Sequence, residues 1–195
     1  MSRTPAEHKR LSVENTMKKY LKDDKITFSI QSIDIKENFK ENITCVTVNM
    51  TDNAGSFILE GESKKGTIHA FSKPLLEKYS KDYPSLSNIA LVGFSVLPDF
   101  KRTERGTDAV AEVLMEFKNK NNAIIPVRNV DRSYIRASFL SLLSGVEFFI
   151  NLEKSYFHIL KCVEDADKRR RGDLSTKYKY DLAALVEINN FDAEH

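Results

Sequence analysis

The side chains that could perform acid–base catalysis, nucleophilic attack or metal binding are scattered along this 195-residue chain. The four histidines share no metal-ligand spacing and the two cysteines form no CxxC pair. These residues are His8, His69, His158, His195, Cys45 and Cys162. None of the motifs GxGxxG, GxxxxGKS/T, HExxH or GxSxG occurs. The sequence therefore predicts no catalytic constellation, no metal and no cofactor.

Charge and hydropathy argue against several classes of partner. Thirty basic residues stand against 28 acidic ones, and this balance indicates neither nucleic acid nor an anionic membrane. The segment 131–143 carries Arg132 and Arg136 but is otherwise apolar, which does not suit a DNA-recognition helix. The N-terminus is too polar for a signal peptide, and no run of about 18 apolar residues is present. We expect a soluble, cytoplasmic protein.

Hydrophobic periodicity and capping residues predict the order of the elements. Thr4, Pro5 and Glu7 form a capping box at the start of a helix over about 5–22. Six strand-like segments and two helices follow: strands at 26–35, 44–51 and 53–61, a helix at 66–83, strands at 89–100, 107–118 and 122–130, and a helix that Asp131 or Ser133 caps. Pro74 should kink the first of these two helices or delay its start.

A repeat relates the two halves of this order. A shift of 67 residues places Val46, Val48 and Met50 on Val113, Met115 and Phe117, then Phe57 and Ile58 on Ile124 and Ile125, and Ile68 and Ala70 on Ile135 and Ala137. A βββα unit leaves one apolar sheet face exposed, so pairing two units is the natural way to bury both faces. We predict an α+β fold built from a pseudo-twofold pair of βββα units, 26–84 and 85–150.

Helical segments are expected on both sides of this core. Residues 1–25 should form the N-terminal helix. Residues 151–195 should form a C-terminal extension of two helices separated at Gly172. An apolar stripe marks each of these two helices: Phe157, Leu160 and Val163 on the first, and Leu182, Leu185 and Val186 on the second.

Residues 26–150 resemble the C-terminal regulatory domain of the 2-isopropylmalate synthase and citramalate synthase family. The second unit carries Gly106, Thr107 and Ala109 before its middle strand, and Val130, Ile135, Ala137 and Ser138 around its helix opening. The first unit opens its helix with Gly-Thr-Ile-His-Ala at 66–70, where the family has Gly-Pro-Val-Asp-Ala. YPSL and IALVGFSV match the link between the family's two units.

The resemblance implies a dimeric domain that binds a branched-chain amino acid, leucine or isoleucine, at the dimer interface and exerts feedback control on a catalytic barrel. The implied effector-binding positions are Gly66, Thr67, Ile68, His69 and Ala70 from one helix opening, and Asn129, Val130, Asp131, Tyr134 and Ala137 from the other. This agrees with the physics of a helix N-terminus, whose free amides and positive partial charge attract a carboxylate. Glycine and alanine at the opening let a ligand approach the backbone, while apolar neighbours can seat a branched side chain.

The sequence also departs from the family pattern. His69 replaces an aspartate that would pair with an ammonium group, and Asn129 stands where the family usually has glycine. Ser133 and Arg136 replace asparagine and glutamate. The family's catalysis resides in a separate TIM barrel of about 250 residues, for which this chain has no room.

Three functions follow from these observations. The first is a homodimeric amino-acid-sensing regulatory domain of branched-chain amino acid biosynthesis, either part of an acyltransferase synthase or standing alone beside a separate catalytic barrel. The second is a ligand-free dimerisation or protein-interaction module on the same fold. The third, an independent enzyme, would need a cluster of carboxylates or histidines that only the folded chain can bring together.

Overall fold

The computed structural model describes residues 4–98, 110–186 and 188. Helix α1 (Pro5–Leu21) is followed by strands β1 (Ser29–Asn38), β2 (Ile43–Asp52) and β3 (Gly55–Ser63), and by helix α2 (Thr67–Tyr79). Strands β4 (Ala90–Pro98), β5 (Ala111–Lys118) and β6 (Ile124–Asp131) then precede helices α3 (Tyr134–Lys168) and α4 (Gly172–Val186). Short 3-10 helices span Lys22–Asp24 and Pro84–Asn88. The α+β class and the pair of βββα units are confirmed.

Each unit is an antiparallel three-stranded sheet with a helix on one face. The first sheet has the order β1-β2-β3 and the second β4-β5-β6, so the strand in the centre is the second of each unit. The helix-facing positions of the two central strands are buried, and they are Val46, Val48, Met50, Val113, Met115 and Phe117. Helix α2 packs on β2 and β3, and α3 packs on β5 and β6. The first strand of each sheet is left less covered.

The repeat is real, but one shift of 67 residues does not describe all of it. The N-cap residues of the two helices, Gly66 and Ser133, obey this shift. The central strands obey it too, whereas cross-strand pairs show that Leu59 corresponds to Val127, a shift of 68. The predicted match of Ile58 with Ile125 is therefore wrong: Ile58 is 60% exposed and Ile125 only 2%. A longer turn between β5 and β6 adds the extra residue.

The first strands correspond at a shift of 61. Ile33 pairs with Val48 as Phe94 pairs with Met115, and the bulges at Ile30/Ser32 and Leu91/Gly93 fall at equivalent places. A bulge is a specific local irregularity of a strand. Its recurrence at the same position therefore supports the structural equivalence of the two units. The same shift lays Phe39-Lys40 on Phe100-Lys101 in the sequence. Residues 99–109, which include Gly106, Thr107 and Ala109, lie outside the described residues.

The predicted capping of α1 is confirmed, and Pro74 does not delay the start of α2, which begins at Thr67. The Thr4 hydroxyl accepts a hydrogen bond from the Glu7 amide, and the Glu7 carboxylate accepts one from the Thr4 amide. Pro74 lies inside α2 and cannot donate to the carbonyl of Ala70. That carbonyl abuts Gly61 of β3, where an added Cβ would lie 1.9 Å from the oxygen. Glycine at 61 therefore lets the helix pack against the strand at this point.

Helix α3 is one continuous helix of 35 residues, and the predicted break near residue 151 is wrong. Between Val146 and Lys168 the sequence contains neither glycine nor proline, so nothing ends the helix there. The predicted stripe is right for Val163, which is buried, and wrong for Phe157, which is 48% exposed. Ile159 and Ala166 are buried on the same face as Val163. Arg170, with φ of 56°, ends the helix, and α4 begins at Gly172.

Two aromatic rings join the units. Phe71 of α2 stacks on Phe139 of α3 with a centroid separation of 4.3 Å and an interplanar angle of 12°. Both side chains are at most 1% exposed. One buried cluster runs from α1 through both sheets to Leu185 of α4. The units therefore share a single core.

Polar side chains of α3 hold the segments that lead into the two sheets. The Asn151 side chain accepts from the Ile26 amide and donates to the Ile26 carbonyl, both at 2.8 Å. The Glu147 carboxylate accepts from the Phe28 amide just before β1. The Glu153 carboxylate accepts from the Ser85 amide at 3.1 Å, just before β4. One helix thus fixes both entry points.

By length and hydropathy, α3 would be long enough to cross a membrane. However, 72% of the most apolar 18-residue stretch of this helix is buried inside the protein. This is typical of the core helix of a soluble protein, and it explains an apolar segment that the sequence analysis did not single out.

We predict that Phe139→Ala lowers the free energy of unfolding by about 3–5 kcal/mol, since it removes a fully buried ring and half of the stacked pair. Phe157→Ala, at an exposed position on the same helix, should change it by less than about 1 kcal/mol. Urea denaturation followed by circular dichroism measures both. Equal losses in the two variants would contradict the assigned core.

A second prediction concerns Glu153. Burial raises the pKa of its carboxyl, although the hydrogen bonds from Ser85 lower it. Because the folded-state pKa lies above the unfolded value of 4.5, the native state binds more protons and stability falls as the pH rises through that window. Glu153→Gln cannot ionise, so its stability relative to the wild type should increase from about pH 4 to pH 7. Glu164→Gln, exposed on the same helix, is the control; a pH-independent difference for Glu153→Gln would refute the burial effect.

Candidate functional site

The openings of α2 and α3 line one cleft of about 780 Å³. We call it the inter-unit cleft, and it lies on the side of the Phe71–Phe139 stack where both helices begin. Its lining comes from both helices, from the first strand of each unit and from the β1–β2 turn: Ile35, Glu37, Phe39, Lys65, Thr67, Ile68, Leu91, Phe94, Tyr134, Ile135, Ser138 and Phe139. The two openings that the sequence analysis paired therefore meet within a single chain.

The α2 opening is the half of the cleft suited to an anion. Gly66 precedes the helix with φ of 93°, a conformation that favours glycine. Among the described residues, no side chain caps this first turn. The amides of Thr67, Ile68 and His69 precede the first intrahelical bond, which the Ala70 amide donates to Gly66. Lys65 adds a cationic side chain to the lining. Free amides, helix dipole and ammonium group all favour a carboxylate here.

The α3 opening is satisfied by its own side chains. The Ser133 hydroxyl accepts from the Arg136 amide at 3.2 Å, and the Asp131 carboxylate accepts from the Ser133 amide at 2.9 Å. Arg136 also lies 3.5 Å from Asp131. The α3 side contributes side-chain surface instead: Tyr134 is 58% exposed, and Ser138 lines the cleft while donating to the Tyr134 carbonyl at 2.7 Å.

The first strands supply the rest of the lining, and sequence reasoning missed them. Glu37 of β1 brings a carboxylate that an ammonium group could contact, while Ile35 and Phe94 form apolar wall. Phe39, at the turn after β1, is 89% exposed beside the cleft. The Asn38 side chain accepts hydrogen bonds from two amides of that turn, which holds its conformation. The alternating apolar pattern of β1 indicated a core face but not that α2 leaves it partly uncovered.

The hydrogen bonding of His69 does not suit it to bind an ammonium group. Its Nδ1 lies 2.9 Å from the Ser63 hydroxyl, which also accepts from the Lys65 amide at 2.8 Å. The imidazole thus fastens the β3–α2 turn. His69 lines a neighbouring groove of about 590 Å³ that shares Lys65, Ile68 and Leu91 with the inter-unit cleft. The carboxylate that lines the inter-unit cleft is that of Glu37.

Of the ten predicted positions, Thr67, Ile68 and Tyr134 line the inter-unit cleft. Gly66 and Asp131 shape the helix openings without lining it. Ala70 and Ala137 are completely buried in the core. The Asn129 amide donates to the Ser141 hydroxyl at 3.3 Å within the second unit. Val130 lies on the opposite face of the second sheet and is 39% exposed.

Within the described residues, no group of three or more histidine, cysteine, aspartate or glutamate side chains is placed to hold a metal ion. The arrangement present combines a carboxylate, an ammonium group, free amides and an apolar wall. These groups have the chemistry that binding of a small zwitterion or acid requires. Comparison of the sequence with models of known protein families and with curated proteins gave no match.

The burial of Ala137 generates a prediction about the site. Leucine at this position would overpack the core beneath the cleft, so Ala137→Leu should lower the free energy of unfolding by about 1–3 kcal/mol. Ser133→Ala, which removes the α3 cap at an exposed position, should cost about 1 kcal/mol. Thermal denaturation of both variants tests this; an unchanged melting temperature in Ala137→Leu would show that the position has free space.

Proposed function

We propose that this chain is a non-catalytic, cytoplasmic regulatory domain that binds a branched-chain amino acid, leucine or isoleucine, in the inter-unit cleft. Its role would be feedback control of a catalytic synthase barrel, as in the 2-isopropylmalate and citramalate synthases that it resembles, and it would act as a homodimer. The observation that carries the proposal is the convergence of an uncapped helix opening, Lys65, Glu37 and an apolar wall on one cleft.

The groups match the chemistry of an α-amino acid. The effector carboxylate would accept hydrogen bonds from the first-turn amides of α2 and pair with Lys65. Glu37 would accept the ammonium group across the cleft. The branched side chain would lie against Ile35, Ile68 and Phe94. A volume of about 780 Å³ is within the range of about 300–1,000 Å³ that small-molecule sites occupy.

A second candidate function is a protein-interaction module without a ligand. The observation that favours it concerns His69, which stands where the family has an aspartate. Its Nδ1 is already hydrogen-bonded to the Ser63 hydroxyl. The exposed apolar side chains of β4 also favour this second function, because exposed apolar surfaces often mark protein interfaces. Ligand binding distinguishes the two candidates.

We expect a selective thermal shift with one branched-chain amino acid. Leucine, isoleucine, valine and their 2-oxo acids would each be added at millimolar concentration. A ligand at about 100 times its dissociation constant stabilises the native state by about 2.7 kcal/mol, which is readily detected. The 2-oxo acids lack the ammonium group and should give a smaller shift. The absence of a shift with all six compounds would leave the interaction module as the function.

Paired variants test the residue roles. Lys65→Gln and Glu37→Gln should each weaken amino-acid binding about tenfold or more, because each removes one charge that faces the ligand. Lys64→Gln, next to Lys65, and Asp34→Asn, on the opposite face of β1, are the matched controls. Calorimetric titration measures all four. Equal affinities in Lys65→Gln and Lys64→Gln would remove the carboxylate site from the α2 opening.

A further inference from the structure

The two sheets differ on the faces that point away from their helices, and the repeat allows a position-by-position comparison. Cross-strand pairs align the outer faces except at the two bulges, where Gln31 and Val92 are the extra, unpaired residues at equivalent positions. Five polar positions of the first sheet are apolar in the second. Gln31, Lys36, Thr47, Ser56 and Glu62 correspond to Val92, Leu97, Leu114, Ile124 and Val130. The same architecture thus presents a polar outer face in one unit and a substantially apolar one in the other.

These apolar side chains are accessible. Val92 and Leu97 are 49% and 52% exposed, and Ile124 and Val130 are each 39% exposed. Strand β4 is an edge strand and has no charged residue between Ala90 and Pro98. Edge strands are usually protected from pairing by charges or proline, and β4 has only its terminal proline. The equivalent β1 carries Asp34, Lys36 and Glu37. The first sheet therefore serves as an internal reference for a solvent-facing sheet.

The outer face of the second sheet carries Glu112, Glu116, Lys118 and Arg128, and Arg128 pairs with both Glu112 and Glu7 of α1. Two of these charges, Glu112 and Lys118, are placed in a self-complementary way. One cross-strand row contains Leu97, Glu112 and Val130. The row at the other end contains Ala90, Lys118 and Ile124. A twofold axis that lies between two packed copies and crosses the strands exchanges these rows. Glu112 then faces Lys118 of the second copy, and Val130 faces Ile124 of the second copy, each contact occurring twice.

We infer that the outer face of the second sheet, Val92, Leu97, Glu112, Leu114, Lys118, Ile124 and Val130, is the homodimer interface, formed by face-to-face packing of two copies. This gives a surface to the homodimer of the proposed function and rests on that part of it. Packed sheets lie about 10 Å apart, within reach of a glutamate and a lysine side chain from opposite sides. Leu114 lies near the centre of the face, between Glu112 and Glu116 of β5, and the same twofold axis places it opposite Glu116 of the second copy.

The packing leaves the effector site open. The cleft-lining side chains of β4, Leu91 and Phe94, pair with the buried Phe117 and Met115 and so belong to the helix-facing side of the sheet. Three strands of eight or nine residues form a small interface compared with obligate dimers, so the dimer should dissociate at micromolar concentrations.

Light scattering after size exclusion, over a series of concentrations, tests the surface. The wild type should be dimeric at high micromolar concentration. Leu97→Lys combined with Ile124→Ser, which installs the first sheet's residues, should be monomeric throughout; the introduced ammonium group would face Glu112 across the strands, so the fold is retained. Ile58→Lys, on the outer face of the first sheet, is the control and should remain dimeric. A monomeric wild type overturns the homodimer, and a dimeric double variant overturns this surface.

A charge test fixes the register of the two copies. Lys118→Glu should weaken the dimer at least tenfold, because it places a carboxylate over Glu112 of the second copy. Adding Glu112→Gln to that variant should restore much of the affinity, while the amide oxygen still accepts from Arg128, now 2.5 Å from Glu112. No recovery in the double variant would overturn the assigned register. Leucine-induced thermal shifts, measured on the same variants, report separately on the effector site.

Discussion

The stacking of Phe71 on Phe139 governs the architecture, because each βββα unit alone would expose an apolar surface. Aromatic pairs in offset contact add about 0.5–1.5 kcal/mol beyond the area that they bury. The larger effect is geometric. The stack joins α2 to α3 near their openings, and thereby brings two helix N-termini and two first strands around one cleft.

Helix α3 completes this arrangement from the other side. Its Glu147, Asn151 and Glu153 hold the segments entering β1 and β4, so the sheets cannot move independently of the helix. Desolvation raises the carboxyl pKa of two of these anchors, the half-buried Glu147 and the buried Glu153. Beyond the core, α1 and α4 are tied together where Lys19 and Tyr20 both contact Asp181 at 2.5 Å. The terminal helices are thus part of the packed domain.

The sequence alone predicted the elements and the pairing of units because these depend on local signals. Capping residues gave the starts of α1 and α3, and period-two apolar patterns gave the strands. The single shift of 67 failed because it assumed turns of equal length. The predicted end of the helix near residue 151 had no local stop signal behind it, and α3 continued to Lys168. The site was harder to predict than the fold, since exposure is a tertiary property. Ala137 and Thr67 both follow a helix opening, yet one is buried in the core and the other lines the cleft.

Nuclear magnetic resonance of the backbone amides, during titration with leucine and isoleucine, shows directly whether the inter-unit cleft binds an amino acid. We expect saturable, ligand-specific changes in the amide resonances of Thr67, Ile68 and His69, where the carboxylate would bind. The amide of Arg136, which the Ser133 hydroxyl already caps, should be little affected. Perturbation confined to other parts of the chain, or none at all, would contradict the assignment of the inter-unit cleft as an amino-acid site.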